Sequence, residues 1–352
     1  MGKEEIRFGI GERAFNQLPE GQKEQKIPVA QVKNIVSYVN DKIDLPFKLE
    51  LNEGTDLGVF FSPIETGKSL KVHSKHKRSA LLGRVIFKDK ENRIYRDVDI
   101  KGLGCIAERD DPEVTVSNEF FVDNEAQAKK KKGGEISETG PWGFCLNEYA
   151  LRDQDMSENL LEVGIRTYRV AAIIKLMEAI DNEGKVISID EAKRLGILRE
   201  SDEPVLEVRA YSTKMRVANL TEPVHLRDAM VMVAQELGRT EISEEEYARW
   251  FASTLGQQIA RMHKFGYVHR GLYYHNITTD CRIVDLDSVM ATEELSPEEF
   301  LKYSVLDMDE GKGTLYFLAT SVLKDIPKTP SFLQQLLGEY KNSYKNELEA
   351  KL

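Results

Sequence analysis

The sequence is poor in cysteine and has no long apolar run. Cys105, Cys145 and Cys281 are an odd number without paired spacing, which argues against a disulfide framework or a cysteine-rich zinc site and is typical of a reducing compartment. No segment approaches the roughly 20 apolar residues that a membrane-spanning helix needs. Residues 1–6 are acidic and lack the apolar core of a secretory signal. We therefore expect a cytoplasmic protein without a membrane partner.

The sequence also lacks an excess of basic residues. Lysine and arginine number 49 against 59 aspartate and glutamate residues, which gives a formal net charge of −10. We expect no nucleic-acid partner, because binding a polyanion requires a basic field. Hydrophobic residues make up 41% of the 352 residues. That share and length predict one large or two modest folded domains.

Three regions of the chain differ in their patterning. Residues 1–55 are polar, and their one apolar pattern, over 29–43, predicts a helix in an appended segment. Residues 56–220 contain short β-rich runs, two of them joined by a polar turn over 88–92, which predicts a small antiparallel sheet. Residues 221–352 show helical patterning. The sequence therefore predicts an α+β fold with a β-rich first lobe and a helical second lobe.

Two local signals refine this layout. Ser243 and Glu246 have the spacing of a capping box and predict the start of a long helix over 243–265. Residues 124–140 have no apolar periodicity and contain four consecutive lysines, which predicts a mobile surface loop. The lysine run, Lys129 to Lys132, either docks an acidic partner or stays solvated.

The residues with a chemical signature lie in segment 266–289. Asn276 and Asp285 stand nine residues apart, with an intervening segment long enough to fold back. An asparagine amide and a carboxylate that converge are the Mg²⁺ ligands of kinase-type phosphotransfer sites. The segment reads HRGLYYHN and then DLD, which resembles the protein-kinase catalytic loop H-R-D-L-x-x-x-N followed by D-F-G. Gly271 replaces the base aspartate, and Asp287 replaces the glycine and is a candidate for a second metal position.

Further motifs resemble those of the selenoprotein O family, whose kinase-like members transfer AMP from ATP to protein hydroxyls. KGLG begins at Lys101 and HKRSALLG contains Arg78. LRDQDMSENLLEVGIRTYRV contains Glu158, and VRAYSTKMRVA contains Arg209 and Arg216. The matches follow the family's order from about residue 75 to residue 287.

The resemblance implies a two-lobed protein-kinase-like fold that binds ATP with Mg²⁺ or Mn²⁺ between its lobes. ATP would lie reversed relative to ordinary kinases, with its α-phosphate facing the acceptor, which would be a Ser, Thr or Tyr hydroxyl of a protein substrate or a small molecule. Lys101 would pair with Glu158, and the metal would be held by Asn276 and Asp285. The nucleotide-binding residues that the resemblance implies are Arg78, Lys101, Gly143, Glu158, Arg209 and Arg216.

Departures from the family leave the chemistry open. His275 stands where the family has an aspartate as general base. A neutral imidazole accepts a hydroxyl proton near pH 7, and a loop histidine bonded to backbone is the equal alternative. Besides an adenylyltransferase, the sequence therefore allows a pseudokinase scaffold, which Gly271 favours, and a kinase that transfers the γ-phosphate to a small molecule.

Overall fold

The computed structural model describes residues 24–46, 54–73, 78–108, 120–122, 143–220, 223–323, 326 and 329–350. The predicted loop over 124–140 lies outside these residues. The strands are β1 (Glu24–Gln31), β2 (Asn34–Val39), β3 (Val59–Phe61), β4 (Ser69–His73), β5 (Ser79–Lys88), β6 (Ile94–Lys101), β7 (Ile106–Glu108), β8 (Phe120–Val122), β9 (Cys145–Leu146), β10 (Arg169–Leu176), β11 (Glu178–Ile180), β12 (Val186–Ser188), β13 (Pro204–Tyr211), β14 (Tyr267–Val268) and β15 (Met290–Ala291). The α-helices are α1 (Asn147–Glu162), α2 (Ile189–Arg194), α3 (Pro223–Glu236), α4 (Glu244–Lys264), α5 (Pro297–Phe317) and α6 (Pro330–Glu349).

The described residues form two compact units. The first, called the sheet unit, consists of the described residues up to Leu151 together with Val170–Ala210. The second, called the helical unit, consists of Arg152–Arg169 and the described residues from Tyr211 onward. Among the described residues, the chain changes unit within α1, after the first residue of β10 and before the last residue of β13. The predicted division at residues 55 and 220 stays a prediction. The predicted α+β class, β-rich first and helical in its C-terminal part, is confirmed.

A nine-stranded sheet forms the sheet unit, in the order β2-β10-β13-β6-β5-β4-β1-β3, with β9 paired to β13. The predicted hairpin is confirmed as the antiparallel pair β5–β6, in which Ser79 lies opposite Lys101. Its turn is closed by Asp89, whose Oδ1 accepts the backbone N–H groups of Glu91 (2.9 Å) and Arg93 (2.8 Å). This register brings the start of β5 beside Lys101 at the end of β6.

The helix predicted over residues 29–43 is wrong, since this stretch contributes strands β1 and β2. β1 pairs with β3 and β4, and β2 pairs with β10. The apolar positions fit a helical period, but most are valine and isoleucine, whose branched side chains favour a pleated surface. The side chain of Asn34 is buried and bonds to the backbone of Val32 and Thr55. Residues 24–39 are therefore part of the sheet and not an appendage to it.

The helical unit is built around α4. Ser243 and Glu246 form the predicted capping box at its start. Gly256 allows α6 to pack closely, because a Cβ at this position would lie 2.3 Å from the carbonyl oxygen of Tyr340. The buried side chains of the two helices include Tyr247, Phe251, Leu255 and Ile259 on α4 and Leu336 and Tyr340 on α6.

None of the helices in the described ranges is long and apolar enough to cross a membrane.

Candidate functional site

A buried carboxylate holds the start of segment 269–276. Asp307, on α5, accepts the backbone N–H of His269 on Oδ2 (2.7 Å) and that of Arg270 on Oδ1 (3.0 Å). Arg270 has φ = 65°, a left-handed conformation that costs about 1–3 kcal/mol for a residue with a side chain. Asp307 therefore stabilises a turn that the backbone alone disfavours. Sequence reasoning missed Asp307. Its only signal in the sequence is that it lies three residues after Ser304 and four before Gly311, a spacing that puts it on the same helix face as these two buried residues.

The segment from Asn276 to Asp285 folds back on itself, as predicted. The backbone N–H of Val284 donates to the carbonyl of Asn276 (3.0 Å), and Ile277 bridges to Ile283. His269 is fully buried, and its Nε2 lies 2.8 Å from the carbonyl oxygen of Val284. These bonds tie the loop before Asn276 to the residue before Asp285.

Asn276 and Asp285 lie in contrasting environments. Asn276 is 5% exposed, and its Nδ2 donates to the carbonyl of Gly271 (2.9 Å), which fixes the amide orientation. Asp285 is exposed, in the left-handed region at φ = 72° and ψ = 53°. Its carboxylate makes no hydrogen bond or ion pair with a residue that the structure describes. Strained backbone concentrates at functional sites, and here it carries a carboxylate that is available to a ligand.

The chemical types of the two candidate ligands suit magnesium bound together with phosphates. Across the described ranges, no group of three or more His, Cys, Asp and Glu side chains is arranged to hold a metal ion. Mg²⁺ in nucleotide sites usually takes one or two protein oxygens, and phosphates and water complete its octahedral shell. The amide oxygen of Asn276 and the carboxylate of Asp285 are oxygen ligands of this kind. Asp287 is exposed in the 3₁₀ turn Leu286–Ser288, and its role as a second metal ligand stays a prediction.

A buried ion pair supports the tip of the fold-back. Asp280 is fully buried and accepts hydrogen bonds from the hydroxyl of Thr278 (2.6 Å) and from Nε of Arg282 (2.8 Å). Burial alone would raise the pKa of Asp280, but the guanidinium groups of Arg282 and Arg166 outweigh it and hold that pKa below its ordinary value. The charged pair therefore rigidifies the hairpin between the two candidate metal ligands.

Arg216 lies beside Asn276, and its predicted role in phosphate binding stays a prediction. Its NH1 donates to the carbonyl of His275 (2.9 Å) and lies 3.4 Å from Oδ1 of Asn276. His275 itself is exposed, with its ring 4.6 Å from that of Tyr274. The helical unit therefore brings together a candidate phosphate ligand, a candidate base and a candidate metal ligand.

The predicted pair of Lys101 with Glu158 stays a prediction, because these residues belong to different units. Within the helical unit, Glu158 accepts two hydrogen bonds from the fully buried Arg169, at 2.8 Å from Nε and 3.0 Å from NH2. Within the sheet unit, Nζ of Lys101 lies 3.4 Å from Oε2 of Glu207. Sequence reasoning missed both Arg169 and Glu207 as partners.

The cations of the sheet unit are partly neutralised by buried carboxylates. Arg209 donates from Nε (3.0 Å) and NH2 (2.9 Å) to the fully buried Asp99, and its NH1 lies 3.9 Å from Glu207. Arg78 is exposed just before β5, and its carbonyl accepts the backbone N–H of Gly102 (3.1 Å). The positive charges of Lys101 and Arg209 therefore give a weaker field for phosphate than two cations without carboxylate neighbours would.

Glycines allow close backbone approach after Lys101. Gly102, Gly104 and Gly143 have φ values of 96°, 97° and 96°, which favour glycine. The backbone N–H of Gly104 donates to the carbonyl of Gly143 (3.2 Å). A Cβ on Gly143 would lie 2.4 Å from the carbonyl carbon of Gly104. Gly143 thus has a packing role in the sheet unit, and its contact with nucleotide stays a prediction.

We expect Gly143→Ala to lower the free energy of unfolding by about 2–4 kcal/mol, since it adds a backbone clash to the strain of a positive φ. Gly67→Ala is the matched control, because Gly67 has φ = 76° and nothing within 4 Å of an added Cβ. Urea denaturation of both variants measures the difference. Equal losses for Gly143→Ala and Gly67→Ala would show that the clash relaxes without cost.

Comparison with known proteins leaves the family of the chain open. No family model matches it, and no curated protein matches it either. A matching solved structure is "WaaP in complex with acyl carrier protein", which is 12% identical with a TM-score of 0.28. The match covers 76% of this chain and 83% of that one. So distant a likeness carries no argument about activity, and the resemblance to selenoprotein O stays a prediction from the motifs.

Proposed function

We propose that the protein is a kinase-like transferase that uses Mg-ATP and transfers AMP to a hydroxyl group of a protein. The observation that carries this proposal is the fold-back between Asn276 and Asp285. It presents a fixed amide and an exposed carboxylate in strained backbone, next to a guanidinium. Mg²⁺ bound there would neutralise phosphate charge.

The surrounding residues give each group a role. Asn276 and Asp285 would hold the metal, and Arg216 would bind a phosphate oxygen with its guanidinium fork. His275, exposed in the same loop, would accept the proton of the acceptor hydroxyl. Asp307 would act indirectly, by fixing the turn at which this loop begins.

AMP transfer as the reaction rests on the resemblance of the motifs at Lys101, Glu158 and Arg216 to those of selenoprotein O. Two other functions use the same residues. A scaffold without catalysis is favoured by Gly271, which leaves the loop without its base carboxylate. A kinase that transfers the γ-phosphate would need the same metal ligands.

Labelled ATP separates these functions. Purified protein is incubated with Mg²⁺ and with ATP that carries the label on either the α- or the γ-phosphorus. Label transferred from the α position supports AMP transfer, and label from the γ position supports a kinase. Nucleotide binding without any transfer supports the scaffold.

We expect Asp285→Asn to abolish the Mg²⁺-dependent part of the melting-temperature shift that ATP produces, because the substitution removes the charge that attracts the ion. Asparagine tolerates the left-handed region as aspartate does, so the fold should be retained. Asp309→Asn, an exposed carboxylate of α5, serves as the control. A full Mg²⁺-dependent shift in the Asp285→Asn protein would contradict the metal assignment.

A further inference from the structure

Four rings cluster immediately beside Asn276. Tyr274 stacks on Phe317 of α5 with centroids 4.5 Å apart and ring planes at 11°. The ring of His275 lies 4.6 Å from that of Tyr274 and 5.4 Å from that of Tyr273. Tyr273 and Tyr274 meet edge to face at 5.9 Å. We call this set of four rings, Tyr273, Tyr274, His275 and Phe317, the aromatic cluster.

The aromatic cluster is open on the side of Tyr273 and His275. Tyr273 is 41% exposed, and His275 is exposed as well. Tyr274 and Phe317 are half-buried. Single exposed aromatic residues are ordinary, but a contiguous group of rings that adjoins a reaction centre is a surface for a flat apolar partner.

The loop that carries the cluster lacks the carboxylate that kinases use as a base. Residues 270–276 contain no carboxylate, and Gly271 stands where kinases have the aspartate. The candidate base of the loop is His275, whose ring belongs to the aromatic cluster. A phenol, with an ordinary pKa near 10, releases its proton far more readily than water does.

From these two features we infer that the acceptor is an aryl hydroxyl, the side chain of a tyrosine or a small phenol. This inference rests on the proposed function. The ring of the acceptor would pack on Tyr273 and His275. Its oxygen would form a bond to the α-phosphorus of ATP while the bond from that phosphorus to the leaving pyrophosphate breaks. The phenolic proton would pass to His275.

The test compares acceptors that differ in one group. Three peptides of the same sequence carry Tyr, Phe or Ser at one central position, and tyramine and ethanolamine serve as small acceptors. With full-length protein, Mg²⁺ and α-labelled ATP, we expect the Tyr peptide to be labelled at least about tenfold faster than the Ser peptide. Labelling of tyramine alone would identify the source as a small phenol, and labelling of the Tyr peptide would identify a protein; both support an aryl acceptor.

Two variants test the roles of the rings and of the missing carboxylate. Tyr273→Ala should raise the KM for the phenolic acceptor about 3- to 10-fold with little change in kcat. The Mg-ATP melting shift should stay unchanged. Tyr316→Ala is the control, since Tyr316 is 61% exposed on α5 outside the aromatic cluster. Gly271→Asp should raise labelling of the Ser peptide, because it restores the carboxylate that accepts the substrate hydroxyl proton in kinases. A Cβ at Gly271 has no neighbour closer than 3.8 Å, so that the backbone can accept the substitution.

Equal labelling of the Ser and Tyr peptides, or an unchanged KM in Tyr273→Ala, would overturn the acceptor assignment. Labelling of no acceptor despite a normal Mg-ATP shift would overturn it as well, and nucleotide binding would stand. If the unaltered protein showed no melting shift with Mg-ATP, the proposed function would instead be refuted.

Discussion

Arg209→Leu is expected to lower the free energy of unfolding by about 3–5 kcal/mol, because it removes the guanidinium that pairs with the buried charge of Asp99. Asp99 is fully buried, and the two charge-assisted hydrogen bonds from Arg209 help to compensate its removal from water. Urea denaturation followed by circular dichroism measures the loss. We expect the midpoint to fall while the slope with denaturant is retained.

Two further variants distinguish the stability cost of leaving the Asp99 charge without Arg209 from the stability cost of lost packing. The double variant Asp99→Leu with Arg209→Leu removes both charges and should recover most of the stability, since apolar replacement of a buried ion pair is often close to neutral. Arg194→Leu breaks an exposed pair with Glu191 and should change stability little. If Arg209→Leu were no more harmful than Arg194→Leu, Asp99 would not depend on its partner.

This ion pair also bears on nucleotide binding. Asp99 engages Nε and NH2 of Arg209, and NH1 lies near Glu207 at 3.9 Å. A phosphate that contacts Arg209 therefore has to share the guanidinium with Asp99 and Glu207. Arg216, in the helical unit, instead contacts two neutral oxygens, those of His275 and Asn276, and phosphate binding by either arginine stays a prediction.

Local periodicity and motif spacing were sufficient to predict several structural elements from the sequence. The polar turn between two β-rich runs predicted the β5–β6 hairpin, and Ser243 with Glu246 predicted the start of α4. The interval between Asn276 and Asp285 predicted their fold-back. In each case the signal and the structure lie within a short stretch of chain, so that local rules decide.

Pairings between distant residues could not be predicted in the same way. The partner of Asp99 is 110 residues away, and that of Asp307 is 38 residues away. Strand β2 adopts its conformation by pairing with β10, which lies far along the chain. One signal was available: Asp97, Asp99 and Lys101 alternate along β6, which places three charges on one face of a strand. This alternation along a buried strand already indicates that the carboxylates of Asp97 and Asp99 lie on the same face as Lys101.

Asp307→Ala is expected to have the second large effect, since it removes the acceptor of two backbone N–H groups at once. His269 and Arg270 would lose their partners, at about 1–3 kcal/mol for each unsatisfied group. The left-handed turn at Arg270 would also lose the contact that holds it. We therefore expect a loss of about 2–5 kcal/mol in the free energy of unfolding and the loss of the Mg-ATP melting shift, both measured by thermal and urea denaturation.

Variants of graded severity show whether Asp307 affects Mg-ATP binding by holding the loop before Asn276, or affects only the stability of the core. Asp307→Asn retains one acceptor oxygen and should have an intermediate effect on both measurements. His263 links Asp307 to α6, because its Nε2 lies 3.5 Å from Oδ2 of Asp307 and its Nδ1 lies 2.8 Å from the hydroxyl of Tyr344. Tyr344→Phe removes only that hydroxyl and should weaken Mg-ATP binding less than Asp307→Asn does. The stability loss should be largest for Asp307→Ala, smaller for Asp307→Asn and smallest for Tyr344→Phe. If stability fell in this order while the Mg-ATP melting shift stayed unaltered, Asp307 would support the core but not position the candidate metal site.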